Sequence, residues 1–315
     1  MSGAAKESDG ASAGASQADS KEQDAVVCLI IGMAGSGKST FFLQLLSQLA
    51  QKNSTPYMIN LDPAVQNVPD NVNIDIRDTV KYKEVMEEYG LGPNGAILTC
   101  LNLFCTKFDQ VLQFVEAKRS STEYVLVDTP GQIEAFSWSA SGTIITESFA
   151  ASLPTVILYI VDIPRCADNP LTFSSNMLHA CSIMYKTKLP MVVVLNKCDI
   201  ESGENPRRWM QNSLELDHDF REVSSYASTF ALSMAYALDE FYRHITTAEV
   251  SSLTGQGFDE LIKSIAVARS EYDTFYRPML DELRAAKAQE AQRQEQTELT
   301  NLAVSYTHLT LPTKA

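Results

Sequence analysis

Eight residues, Gly32-Met33-Ala34-Gly35-Ser36-Gly37-Lys38-Ser39, satisfy G-x-x-x-x-G-K-[ST] at every fixed position. The chemistry this spacing serves is phosphate binding. Glycines let the backbone adopt conformations closed to other residues, so successive N–H groups can converge on an anion. Lys38 adds a mobile ammonium for β- and γ-phosphates, and the Ser39 hydroxyl is a ligand for Mg²⁺. The helix expected after it turns its positive end toward the same charge. Gly32, Met33, Ala34, Gly35, Ser36, Gly37, Lys38, Ser39 and Thr40 are therefore the expected phosphate-binding residues. An unliganded glycine-rich turn is the bland alternative, and the apolar VVCLII before it and FFLQLLSQLA after it weigh against that.

Three further groups carry chemistry. Asp128-Thr129-Pro130-Gly131-Gln132 follows a short apolar run. Asp128 there can hold Mg²⁺ through water, and the Gly131 N–H can sense a γ-phosphate. Gln132 has no useful proton affinity, so its role would be to orient an attacking water; Glu134 either polarises that water or is a solvated loop residue. Asn196-Lys197-Cys198-Asp199 selects a base. A carboxylate accepts only, so Asp199 can take both the N1–H and the exocyclic amine of guanine, whereas adenine offers a lone pair at N1. Asn196 either reaches the guanine N7 edge or braces the phosphate loop, Lys197 covers the ring face, and Ser252 lies in the loop expected to close over guanine O6. Asp62, in Asp-Pro-Ala, fits an Mg²⁺ or water-positioning role but is also a common turn starter. Asp75 and Arg77 are candidates for a switch segment.

These groups need a scaffold that brings them to one edge. Val26–Ile31, Tyr57–Leu61, Tyr124–Val127, Thr155–Val161 and Met191–Leu195 are short apolar runs of the kind buried parallel strands use. Helical spacing follows in Thr40–Gln51, Lys81–Tyr89, Phe108–Ala117, Asn176–Tyr185 and Phe258–Ala268, and residues 205–246 form a helical insertion of two or three helices. A last short strand is expected near Ala248. Gly90-Leu91-Gly92-Pro93-Asn94-Gly95 is a dense breaker cluster, by itself a helix C-cap and turn. Strand–helix alternation gives an α/β fold with a mostly parallel sheet and ligands at the carboxyl ends of its strands. Residues 1–24 lack large apolar side chains after Met1 and are expected to be a disordered tail; 25–275 form the domain, and 276–315 a polar helical or disordered tail. The final VSYTHLTLPTKA differs in character from the tail before it, and no function is read from it.

Composition narrows the partners. The net charge of −14 and the lack of any long Lys/Arg run disfavour direct nucleic-acid binding and an anionic membrane. Six scattered cysteines without a C-x-x-C, no signal-like start and no membrane-length apolar run lead to the expectation of a reduced, cytoplasmic protein.

Taken together, GMAGSGKST, INLDPA, NIDIRDTVKYKEVMEEYGLGPNGA, YVLVDTPGQIE, WSASGTIITE and YKTKLPMVVVLNKCD resemble the GPN-loop GTPases, over roughly residues 25–275. Within the family the likeness is to the eukaryotic type-1 branch. The resemblance implies a P-loop, SIMIBI-like GTPase that binds GTP and GDP with Mg²⁺ and depends on a dimer. Gly92, Pro93 and Asn94 become the signature loop, reaching toward the γ-phosphate of a second GPN subunit. It also implies a role in assembly and nuclear import of RNA polymerase II, with shuttling between cytoplasm and nucleus. A P-loop small-molecule kinase and a protein scaffold in which nucleotide is only structural remain the alternatives.

Overall fold

The computed structural model describes residues 24–65, 68–69, 71–222 and 245–290, with 233, 236, 238–243 and 292–293. Seven parallel strands form one sheet in the order β3-β2-β4-β1-β5-β6-β7. They are β1 (Val26–Gly32), β2 (Tyr57–Asn60), β3 (Ile74–Asp75), β4 (Tyr124–Asp128), β5 (Thr155–Asp162), β6 (Met191–Asn196) and β7 (Thr246–Val250). β1, β5 and β6 are buried along their whole lengths, which explains their unbroken apolar sequences.

Side-chain alternation along each strand divides the interior into two cores. Val27, Leu29 and Ile31 face one, Val26, Cys28 and Ile30 the other. The second core is closed by α1 (Lys38–Gln51) and α12 (Phe258–Glu271), whose Phe41 and Phe258 rings lie 5.5 Å apart. The first core holds α4 (Pro93–Cys105), α5 (Phe108–Ala117), α7 (Ala140–Ser152) and α9 (Pro170–Thr187). There Phe108 meets Phe149 edge-on at 5.0 Å. Short helices α2 (Ile76–Thr79), α3 (Tyr82–Tyr89), α6 (Ile133–Ser137) and α8 (Ile163–Cys166) follow β3, the α2 turn, β4 and β5.

Several expectations change. The breaker cluster is two boundaries in succession: Gly90, at φ +61°, caps α3, and Gly92 then caps α4 with Pro93 at its first position. Proline costs nothing there, because the first N–H groups of a helix have no intrahelical acceptor. α4 and α7, rich in Gly, Thr, Ser and Cys, have no clear helical signature in sequence; their helicity comes from packing. α9 starts six residues before the expected Asn176, where Asn169 accepts from the Leu171 and Thr172 N–H groups. Asp24, assigned to the tail, ion-pairs with Arg119. In the insertion, α10 (Glu204–Gln211) and α11 (Ser213–Glu222) are present, and most of its remainder lies outside the described residues. So do residues 1–23 and the last dozen. Beyond α12 a π-helical turn, Tyr272–Tyr276, leads into a helix over 277–290 whose Met279 and Leu280 pack on the first core and which is exposed from 281 onward; Arg284 donates to the Ala151 carbonyl.

Candidate functional site

Strand register gathers the chemistry. Ile30 and Asn60 both pair with Asp128, Gly32 pairs with Ile160, and Asp162 with Asn196. The loops after β1, β2, β4, β5 and β6 therefore leave the sheet at one edge, the crevice where open parallel sheets bind ligands.

In the P-loop, Gly35 and Gly37 take φ values of +81° and +92°, which side-chain-bearing residues rarely adopt. Five consecutive carbonyls are each engaged by a side chain. Lys38 Nζ donates to Gly32 O (2.7 Å) and Met33 O (3.1 Å), Arg165 Nη1 to Ala34 O (3.2 Å), Lys197 Nζ to Gly35 O (3.0 Å) and Asn196 Nδ2 to Ser36 O (2.9 Å). A trans peptide holds its C=O and the next N–H antiparallel, so fixing the carbonyls of Ala34, Gly35 and Ser36 turns the following N–H groups the other way. This is the polarity an anion cradle needs. The Ser36 N–H rests on Met33 O at 3.2 Å, a weak turn bond that a phosphate oxygen can displace. Lys38 is buried at the start of α1, and that burial lowers its pKa against the pull of Asp128 and Asp62. Thr40 is exposed on the same turn.

In the base-selecting segment one of the two roles read for Asn196 is seen directly. Asn196 is fully buried and braces the P-loop; its Oδ1 accepts from the Lys197 N–H (2.8 Å), the Ser252 N–H (3.2 Å) and Ser252 Oγ (2.7 Å). One of its two Nδ2–H donors is used on Ser36 O, and the second remains for a base edge. Within the Ser251-Ser252-Leu253 loop expected to close over guanine O6, the Ser252 N–H and hydroxyl are both spent on Asn196, so Ser252 holds that asparagine. Lys197, at φ +72°, turns the chain outward. Asp199 stands exposed beside it with Oδ1 accepting from Ser251 Oγ at 2.6 Å and Oδ2 open.

At the metal end, Asp128 is buried and its Oδ1 has no hydrogen-bond partner. Burial first, and the neighbouring Asp62 second, push its carboxyl up to about 7, with Lys38 opposing. A small cavity of about 10 Å³, room for one water-sized guest, is bordered by Ser39, Asn60 and Asp128 together with the apolar Phe42, Leu43, Val68 and Pro69. The unpartnered Asp128 carboxylate oxygen and the Ser39 hydroxyl are the hard oxygen donors a small hard cation takes, so Ser39 and Asp128 fit Mg²⁺. Among the described residues no three His, Cys, Asp or Glu side chains form a cage.

Asp62 does not border this cavity. Its carboxylate caps the turn, accepting from the Ala64 N–H at 2.9 Å, while burial raises its pKa. Asn60, which the motif analysis missed, shapes this corner: it accepts from the Asp62 N–H and donates to Asp75. A buried polar residue at a strand's carboxyl end was the available signal. Asp75 and Arg77 pair with each other (Nη2–Oδ2 2.7 Å), and Asp75 caps α2, so both are bound into local structure.

Gln132, the N-cap residue of α6, donates its amide to Asn94 Oδ1. Gly92, Pro93 and Asn94 are exposed on the first turn of α4, with Tyr82 donating to Pro93 O. Glu134 is exposed, and its carboxylate makes no hydrogen bond or ion pair with the described residues.

Comparison with known proteins agrees with this arrangement. A family model described as a conserved hypothetical ATP binding protein matches residues 30–271. GPN-loop GTPase 1 of Schizosaccharomyces pombe is 45% identical over 291 residues, 90% of this chain and 79% of the relative. Its Saccharomyces cerevisiae counterpart is 50% identical over 287 residues, 88% and 74% of the two chains. An apo GTPase from Pyrococcus abyssi superposes with a TM-score of 0.67 at 28% identity, covering 77% of this chain and 97% of that one. The chain belongs to the GPN-loop GTPase family.

Proposed function

We propose that this chain binds GTP and hydrolyses it to GDP and phosphate, acting as a nucleotide-dependent switch. The observation that carries the reading is that parallel strand register brings the P-loop, Asp128 and Asn196-Lys197-Cys198-Asp199 into one crevice. Lys38 is already bent over the P-loop, one rotation of its stem from a β/γ-phosphate position. Asp199, with an open carboxylate oxygen, accepts from guanine and opposes adenine, although the matching family description speaks of ATP. Ser39 and Asp128 would hold Mg²⁺, which neutralises charge building on the phosphates. Gln132 donates to Asn94 through its amide nitrogen, which leaves its carbonyl to accept from an attacking water and aim it.

The family likeness leads us to propose more. The active form is a dimer with a second GPN-loop subunit, the same chain or a paralogue. Asn94, exposed at the head of α4, meets the other subunit's nucleotide, and the client is RNA polymerase II, accompanied from cytoplasm to nucleus. The acidic surface favours protein partners over nucleic acid, and among the described residues no helix is long and apolar enough to cross a membrane.

The test is direct. Purified chain with Mg²⁺ should bind GTP at least 10³-fold more tightly than ATP, a gap typical where buried polar groups would go unpaired, and should release free phosphate. Equal affinities would overturn the base assignment. A phosphorylated metabolite in place of free phosphate would make the chain a kinase, and binding without turnover would make it a scaffold.

A further inference from the structure

We infer that Asp162 is a positioning residue for the P-loop, holding two cations that in turn fix the carbonyls of Ala34 and Gly35. The inference deepens the nucleotide site proposed above and rests on it. Asp162 ends β5, one strand from the P-loop and register-paired with Asn196. It is 7% exposed. Its Oδ2 receives Lys197 Nζ at 2.7 Å and Arg165 Nε at 3.2 Å. Each cation then donates to one of two consecutive P-loop carbonyls, Lys197 to Gly35 and Arg165 to Ala34.

A purely structural role would show in other bonds, and those are absent. Asp162 occupies the N-cap position of α8, yet its side chain caps nothing, and its Oδ1 is buried without a hydrogen-bond partner. Among the described residues the carboxylate's partners are the two cations. Without it a lysine and an arginine would stand side by side with nothing to anchor them. Both have long stems with much rotamer freedom, so neither would hold its carbonyl. The fit is also close on the loop's side: a Cβ on Gly35 would lie 2.9 Å from Arg165 Nη2. Two carbonyl orientations, and with them two inward N–H groups, thus trace back to one carboxylate. Nothing in the motif itself announces this residue.

The experiment measures release of a fluorescent GDP and binding of GTP and ATP by the full chain. Asp162→Asn keeps shape and removes charge. Release should accelerate about tenfold, the worth of one lost charge-assisted hydrogen bond. GTP and GDP should weaken alike, with preference over ATP retained and the melting temperature of the nucleotide-free chain unchanged. Arg165→Ala, at a side chain 63% exposed, should speed release several-fold, and Asp162→Asn should add less in that background than alone. Wild-type release from Asp162→Asn overturns the inference, as does an undiminished effect of Asp162→Asn in the Arg165→Ala Lys197→Ala background. If Asp162→Asn does not fold, Arg165→Ala decides, and a wild-type release rate there overturns it. Lys38→Ala separates the two levels: if it too leaves binding intact, the nucleotide site itself has been misassigned.

Discussion

Gln132 and Asn94 meet side chain to side chain, the amide of the first donating to the carbonyl oxygen of the second. They are 38 residues apart and stand at the starts of two helices, α6 and α4. The residue best suited to aim water is thereby held by the signature loop of its own chain. In the proposed dimer a loop reaching a second subunit would have to give up or share this bond, which would link dimer formation to water orientation.

The first prediction follows from that link. Asn94→Ala should lower turnover about tenfold, in the range of a lost positioning bond, and leave GTP affinity intact, since among the described residues the Asn94 side chain hydrogen-bonds to Gln132 and not to the P-loop. Mixing Asn94→Ala with Lys38→Ala subunits should restore part of the activity, because one subunit keeps the nucleotide site and the other the loop. A mixture no more active than its components would confine Asn94 to its own chain.

Asp199 offers a change of specificity as well as a loss. Asp199→Asn replaces an acceptor by an amide that donates on one side. Xanthine carries a carbonyl where guanine carries the exocyclic amine, so the variant should lose GTP by about 10²-fold or more and gain XTP. Competition binding with the two triphosphates reads both changes. Loss of GTP without gain of XTP would mean that Asp199 does not face that edge of the base.

What the sequence made legible was local. The strands announced themselves because both faces of the sheet are buried, so Val26–Ile31 and Met191–Leu195 are apolar without interruption. The motifs did so because phosphate and guanine recognition constrain neighbouring residues. What stayed hidden depends on distance along the chain. Asn196 could be read two ways, and its contact with Ser36, 160 residues away, which shows the bracing role, lies beyond any local pattern. Asp162 gave no sign, because its meaning lies in Lys197, 35 residues on, and in two backbone carbonyls. The start of α4 was masked by Gly92 and Pro93, which read as breakers and act as a cap and a first turn.

Gly142 ties the hydrolytic corner to the core. A Cβ there would fall 1.9 Å from Phe136 O and 2.7 Å from Phe136 C, both backbone atoms of α6. Gly142→Ala must push α6 and α7 apart, at a cost of about 2–4 kcal/mol. Because Gln132 is the N-cap of α6, turnover should fall more than GTP binding. A variant with parental melting temperature and parental turnover would mean that α6 yields without consequence.

Asp128 links the site to stability through pH. Its folded-state pKa is raised from 3.8 to about 7, chiefly by burial and then by Asp62. The folded chain therefore binds this proton more tightly than the unfolded chain does. The stabilisation is fully present below pH 4 and is lost as pH rises through 7. Across that window Asp128 should remove about 2–4 kcal/mol from the nucleotide-free protein. Other carboxylates titrate there too, so the measurement is the difference between Asp128→Asn and its parent in denaturant unfolding. The difference should be near zero at pH 4 and grow in favour of the variant until about pH 8. A flat difference would mean that water reaches Asp128 freely. The same variant should lose Mg²⁺-dependent GTP affinity, since an amide lacks the charge the cation needs. Gain of stability with loss of binding is what a carboxylate kept buried for a ligand should show, and a side chain serving the fold would show the reverse.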